Sequence, residues 1–334
     1  MLKNMHLNHY FVIFGQPYDY FRFAYQDLTG NNNGEYCYKP IKSNSGFLNR
    51  IFSAHTSEKV NSRIRLPFKR VWFKKMSYFK TTDTPYCFIF YFGTRWFNAI
   101  KYGYLFYLKK KYPNSVFVFY YGDLVSTHED EYSVEKIKKE FDIVMSFDLG
   151  DCEKYGLIYQ PLVYSTIEKA SDFVPANDVY FVGRAKDRLE SIVDAYVELK
   201  NKGLKCDFHI VGAKTDERLL EDEIDYCGQM PYEENIKHIK NCKAILEIMQ
   251  KNGRGFTLRC CEAIAFGKIL ITNNEEIINT PFYNPERVLL FDEKTSFDIS
   301  PIRNSDGFVN YNYSDLSPLR MFEKIEVLLN ERKQ

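Results

Sequence analysis

The sequence predicts an α/β protein built as two Rossmann-like domains facing across a cleft, each a parallel sheet with helices on both faces. Three observations carry this reading. Short apolar runs alternate with helix-period segments along most of the 334 residues, at spacings that suit βαβ crossovers. A chain of this length can hold two ordinary cores. A polar, irregular stretch, "PLVYSTIEKASDFVPAND" (161–178), also separates a legible second half from a fainter first. The expected divisions are a first domain over 1–165 with an insertion at about 29–80, a linker over 166–178, a second domain over 179–312, and a C-terminal helix within 313–334 bracing the two.

In chain order, "YFVIF" (10–14) and "PYCFIFYFG" (85–93) read as strands and "RWFNAIKYGYLFYLKKKYP" (95–113) as a helix closed by lysines and Pro113. "SVFVFYYGD" (115–123), "SVEKIKKEF" (133–141) and "DIVMSFD" (142–148) continue as strand, helix and strand. "DVYFVGR" (178–184) is a strand. "RLESIVDAYVELKNKG" (188–203) is a helix with Leu189, Ile192, Val193, Tyr196 and Leu199 on one face. "KCDFHIVG" (205–212) and "EIDYCGQM" (223–230) are strand signals, and "PYEENIKHIKNC" (231–242) is a helix opened by Pro231. "KAILEIM" (243–249) and "KILITNN" (268–274) are strands around a short helix. "SPLRMFEKIEVLLNE" (317–331) carries an apolar stripe at Leu319, Phe322, Ile325 and Leu329. Residues 29–80 give no clear pattern.

Composition narrows the classes. A hydrophobic fraction of 45% against 27% charged excludes a disordered chain. No run of eighteen apolar residues is present, and the first residues lack the h-region and cleavage site of a signal peptide. The eight cysteines include no CxxC pair, which suits reduced thiols in a cytoplasmic protein better than a disulfide frame or a zinc site. Charge is uneven: residues 1–120 hold 18 Lys/Arg against 5 Asp/Glu, while the rest hold 27 against 39. The densest basic run, "RIRLPFKRVWFKKMSYFK" (63–80), interleaves with Trp72, Phe73, Tyr78 and Phe79. It suits an anionic membrane surface, phosphate-bearing substrates or nucleic acid, or else a solvated face over core aromatics. The acidic second half would repel a long polyanion, so nucleic acid is not an expected partner.

"GRGFTLRCCEAIAFGKILITNN" (253–274) is a glycine-led helix running into a strand. Glycines 253 and 255 allow close backbone approach, and the helix start offers amides to an anion, with Arg254 and Thr257 as further donors. Glu262 has two readings: a carboxylate accepting from a vicinal diol such as ribose, or an i,i+3 ion pair with Arg259. "FVGRAKDR" places Gly183 and Arg184 at a strand end and Arg188 at the next helix start, a pair suited to a diphosphate.

The order "VGRAKDR … HIVG … CGQMPYEENI … GRGFTLRCCEAIAFGK" resembles the donor domain of GT-B glycosyltransferases, most of all bacterial enzymes of lipopolysaccharide, capsule or other surface glycans. The resemblance covers about residues 180–275. It implies that Arg184 and Arg188 hold the diphosphate of a UDP- or GDP-linked sugar. It further implies that Gly255, Phe256, Thr257 and Leu258 cover sugar and phosphates, that Glu262 binds ribose, and that Gln229 and Met230 meet the base. The implied reaction moves a sugar from a nucleoside diphosphate donor to a glycan or lipid-linked acceptor.

Such transfer needs a stabilised leaving diphosphate, which the two arginines would supply; no DxD motif is present, so no metal and no cofactor are expected. An inverting enzyme also needs a base. Asp123, at the end of "VFVFYYGD", and His128 are the candidates, although an acid at a strand end also caps turns. Asp148 and Asp151 stand in reserve, with capping as their other reading. The rival functions are a nucleotide-sugar epimerase on the same fold and a non-catalytic nucleotide-binding or scaffold protein. The expected location is cytoplasmic, peripheral at the inner membrane face.

Overall fold

Parallel sheets dominate the structure, as the apolar runs predict. The computed structural model describes residues 7–15, 18–30, 33–38, 41–43, 45–64, 66–91, 100–127, 133–165, 167, 174–251, 253–291, 298–311 and 316–332. Two units emerge: residues 1–147, 151–160 and 318–334 form the first, and residues 148–150 and 161–317 the second. Most of the expected linker lies outside the described residues.

Among the described residues, unit 1 holds six parallel strands in the order β2-β1-β3-β4-β5-β6. They are β1 (Tyr10–Phe14), β2 (Gly34–Cys37), β3 (Tyr86–Tyr91), β4 (Val116–Tyr121), β5 (Ile143–Ser146) and β6 (Ile158–Tyr159). Every position of β1 and β3 is buried, because a parallel sheet is covered on both faces. One face carries a cluster of Phe14, Phe88, Phe90, Trp72, Phe73 and Tyr104. On β1, Phe11 stacks on Phe322 with centroids 4.0 Å apart and ring planes at 7°. Phe322 belongs to the C-terminal helix Pro318–Glu331, whose Glu326 Oε1 accepts the His9 amide at 2.9 Å. The helix expected to brace both domains is therefore a member of unit 1.

One expectation for unit 1 needs revision. The helix predicted over 95–113 is interrupted: Gly103 has φ 95°, a left-handed turn, and the helix Tyr104–Lys111 starts anew after it. Residues 92–99 lie outside the described set. The region 29–80 contains β2 and the helices Gly46–Thr56, Glu58–Asn61 and Phe73–Met76.

Unit 2 holds, among its described residues, six parallel strands in the order β12-β11-β10-β7-β8-β9. They are β7 (Asn177–Arg184), β8 (Cys206–Val211), β9 (Asp225–Cys227), β10 (Cys242–Glu247), β11 (Ile269–Thr272) and β12 (Val288–Leu290). Counted within the unit, this is the doubly wound order 3-2-1-4-5-6, with its switch point between β7 and β10. The helix Leu189–Asn201 buries Ile192, Val193, Tyr196 and Leu199 as its periodicity predicts. Each such side chain contributes about 1.5–3 kcal/mol by leaving water. Among the described residues no helix is long and apolar enough to cross a membrane. All eight cysteines are free.

Candidate functional site

Ligands of doubly wound sheets sit beyond the strand carboxyl ends at the switch point. In unit 2 that position is flanked by Arg184, which ends β7, and Glu247, which ends β10. Arg184 is exposed, and its guanidinium makes no ion pair among the described residues. Arg188, the residue before the helix Leu189–Asn201, folds back instead: its Nε donates to the Arg184 carbonyl at 3.3 Å and its Nη1 to the Ile248 carbonyl. Its Nη2 would lie 3.3 Å from a Cβ placed on Gly183, so glycine there leaves room for the guanidinium. Burial pulls the Arg188 pKa down, opposed by the charges of Glu247 and Asp187. The two loops at the switch point are joined further. Lys186 Nζ donates to Gln250 Oε1 at 2.8 Å, and the Lys251 amide donates to Asp187 Oδ2 at 3.2 Å.

The glycine-led stretch supplies the helix Leu258–Ala265, with Thr257 as its N-cap accepting the Arg259 amide at 3.1 Å. The Thr257 hydroxyl donates in turn to Glu247 Oε1, and the Thr272 hydroxyl donates to Glu247 Oε2 at 2.5 Å. This buried carboxylate therefore sits against the first turn of the helix, where it complements the positive helix end. Burial raises its pKa against the pull of those hydrogen bonds and of Arg188. Ahead of the helix, the Arg254 amide donates to Asp148 Oδ2 at 2.6 Å, and its guanidinium pairs with Glu276, Nη2 to Oε1 at 2.6 Å. The Gly255 carbonyl accepts from Asn274 Nδ2 at 3.0 Å, and Phe256 packs on Phe282. Leu258 is half-buried.

Glu262 lies deeper than its ribose reading suggests, with 0% of its surface exposed. Its Oε2 pairs with Arg259, the i,i+3 contact weighed above. Its Oε1 accepts from the Tyr232 hydroxyl at 2.7 Å and from Asn235 Nδ2 at 3.0 Å. Tyr164 and Tyr232 share a hydrogen bond of 2.8 Å, and the Tyr180 hydroxyl donates to Asn235 Oδ1 at 2.9 Å. Burial raises the Glu262 pKa, while Arg259 and the Tyr232 and Asn235 hydrogen bonds oppose it. Of the residues expected near the base, Gln229 is exposed, and the half-buried Met230 sets its sulfur 3.6 Å from the Tyr180 hydroxyl.

In unit 1, Asp123 is exposed just after β4, and its Oδ1 accepts the Leu124 amide at 3.0 Å, a local turn contact. His128 lies outside the described residues. Asp151 accepts the Val125 amide at 2.8 Å and so fastens the turn that follows β4, as its capping reading expects. The basic run divides by burial. Trp72, Phe73 and Phe79 enter the core, whereas Arg63, Arg70, Lys74 and Lys75 are exposed. Ile64, Phe68 and Val71 are exposed too, Phe68 at 79%. Phe68 also adopts φ 61°, a left-handed backbone that a bulky residue rarely takes. Leu66, Phe68, Lys69, Arg70, Val71, Lys101 and Tyr102 line a cavity of about 540 Å³.

What settles the class is the match of residues 166–297 to the family model described as glycosyl transferases group 1. Unit 2 is a glycosyltransferase domain. Comparison with curated proteins returned no match. Among solved structures, the chain is similar to an alpha-glucosyltransferase in complex with UDP-glucose and DNA containing an abasic site. That likeness has 13% identity, covers 95% of this chain and 89% of that one, and has a TM-score of 0.46. It is similar also to accessory secretory protein 1,2 and 3 in Streptococcus pneumoniae, at 10% identity over 79% of this chain and 56% of that chain, TM-score 0.45. A third is the glycosyltransferase SnogD from Streptomyces nogalater, at 9% identity over 96% and 100% of the two chains, TM-score 0.39. Likeness at this level carries no weight for substrate or partner.

The glycosyltransferase domain thus brings Gly183, Arg184 and Arg188 together at its switch point. It sets Thr257 beside Glu247 and joins Glu262 to Arg259, Tyr232 and Asn235. Sequence reasoning missed Glu247. Its signal is a lone carboxylate in "KAILEIM", an otherwise apolar run destined for a buried central strand.

Proposed function

We propose that this glycosyltransferase moves a sugar from a UDP- or GDP-linked donor to a glycan or lipid-linked acceptor of the surface-polysaccharide kind, with no metal in the transfer step. The observation that carries the reading is the Arg184 guanidinium, exposed and without an ion-pair partner among the described residues, at the end of β7 beside the switch point. A donor diphosphate there meets a fork of charge-assisted donors as the sugar–phosphate bond breaks and negative charge gathers on the leaving group. Arg188 holds the loop in place through the Ile248 carbonyl and adds its own charge. Glu262 Oε2 is the atom proposed to meet the ribose diol, in exchange with Arg259.

Asp123 is the proposed base for the acceptor hydroxyl: it is exposed at the end of a strand and is held only lightly, by the Leu124 amide. For a lipid-linked acceptor we propose peripheral docking on an anionic bilayer, at the inner membrane face. Exposed Ile64, Phe68 and Val71 would enter the headgroup region, with Arg63, Arg70, Lys74 and Lys75 beside them.

Thermal unfolding of the full chain against UDP, GDP, ADP, CMP and common sugar conjugates tests the donor assignment, with Arg184→Ala alongside. A shift with one nucleotide, reduced in Arg184→Ala, supports it. Equal shifts in both proteins would remove Arg184 from the site, and no shift with any nucleotide would favour a non-catalytic protein.

A further inference from the structure

One cluster of unit 2 takes no part in the proposed transfer. Asp207 and His209 lie two residues apart on β8, so their side chains leave the same face of the sheet. His209 is in register with Asp225 of β9. The helix Tyr232–Lys240 brings His238 onto them. His209 Nε2 lies 2.8 Å from Asp207 Oδ1, and His238 Nδ1 lies 2.7 Å from Asp207 Oδ2. The other nitrogen of His209, Nδ1, lies 2.7 Å from Asp225 Oδ2. The two imidazole centroids are 4.5 Å apart, and Tyr180 stacks on His238 at 5.3 Å with ring planes at 10°.

We propose that Asp207, His209 Nε2 and His238 Nδ1 bind one divalent transition-metal ion of the zinc type, with Asp225 orienting His209. One donor atom from each of the three residues lies within 4.8 Å of the other two, a span that a small ion can draw into one coordination sphere. Two imidazoles and a carboxylate are a zinc-type donor set and leave a fourth position to water. Asp225 supplies the element that distinguishes a built site from a chance cluster: a carboxylate on the far nitrogen of a ligating histidine fixes its tautomer and ring orientation. Asn177 Nδ2, 3.3 Å from Asp207 Oδ2, steadies the carboxylate in the same way.

A second trio shares His209 and uses Asp225 and Cys227, also within 4.8 Å. It is the poorer site, because it would use the 55% exposed Asp225 as a ligand and leave His209 without its orienting carboxylate.

The ion would join β8 to the helix Tyr232–Lys240, the helix whose Tyr232 and Asn235 hold Glu262. Its role is to fix that helix, separate from sugar transfer, and it stands or falls independently of the proposed donor.

The test uses the full chain, stripped by chelator and titrated with Co(II), then Zn(II). One equivalent of Co(II) with the visible bands of a four-coordinate site, displaced by Zn(II), is expected. His238→Gln and Asp207→Asn should lose it, and Asp225→Asn should bind about 10–100-fold more weakly. Stoichiometric binding unchanged in His238→Gln, or no binding by the native chain, overturns the proposal. X-ray absorption at the zinc edge of the loaded native protein needs no variant and guards against one that fails to fold: nitrogen and oxygen scatterers alone support the site, and a sulfur scatterer transfers it to Cys227.

Discussion

The Thr257 hydroxyl donates to Glu247, fastening the first turn of the glycine-led helix to the end of the central strand β10. Thr257 acts in two directions at once, because the same oxygen accepts the Arg259 amide. Thr257→Val keeps the shape, removes the cap and takes a donor from a buried carboxylate. We expect a loss of about 2 kcal/mol in denaturant unfolding, with Thr257→Ser losing less than about 1 kcal/mol. Equal stability of the valine variant would show that Glu247 does not depend on this contact.

The fully buried Glu262 pairs with the half-buried Arg259 and is braced by Tyr232 and Asn235. Removing one partner leaves the other charge uncompensated, so Glu262→Ala is expected to cost about 3–5 kcal/mol, readable as a lower melting temperature. Glu262→Gln retains a side chain of the same shape and should lose less. Nucleotide affinity therefore belongs to the glutamine variant: weaker binding there, with the fold intact, supports the ribose contact, and unchanged affinity removes it.

Asp123 is exposed and, among the described residues, makes one local contact, to the Leu124 amide. Asp123→Asn should leave the melting temperature and donor binding where they are and lower sugar transfer at least about 100-fold, the low end for a general base. Turnover within a few-fold of native, measured with saturating donor, would eliminate it as the base.

The exposed Phe68 and Arg70 offer a cleaner handle on membrane docking than deletion of the run. Phe68→Ser with Arg70→Gln should reduce co-sedimentation with vesicles containing anionic lipid and leave the melting temperature nearly unchanged. Added salt should weaken native binding as well, since the basic share of the attraction is screened. Binding indifferent to both changes would leave the patch without a membrane role.

The sequence reveals whatever is encoded locally. The strands and helices of unit 2 from β7 to β11 follow from apolar periodicity, whereas β12 and the helix Ser300–Asn304 carry too short a pattern to read, and the Arg259–Glu262 pair follows from i,i+3 spacing. It conceals what long-range packing decides. The β2 segment "GEYC" is four residues long and half-buried at its centre, too short for a strand signal, and it earns its place only by pairing with β1. Gly103 sits in an apolar helical pattern that gives no warning of its left-handed turn. Tyr232 and Asn235 reach Glu262 from 30 and 27 residues away, so the depth of that carboxylate could not be read from its own helix. Among the aromatics of the basic run, nothing in the spacing tells buried Trp72 from exposed Phe68; the fold of the surrounding segment sorts them.

The assignment of the C-terminal helix to unit 1 makes unit 2 a guest spliced into its host. The chain leaves unit 1 after Gln160 and rejoins it at Pro318. A cut at residue 317 would therefore strip the host of the Phe11–Phe322 stack and of the carboxylate on His9. Residues 161–317 are a nearly self-contained cassette, whereas residues 1–160 alone are a host with one wall missing. Anyone dividing this protein should lift out the guest or restore residues 318–334 to the host by a short bridge, and should expect a simple N-terminal half to expose β1 and aggregate.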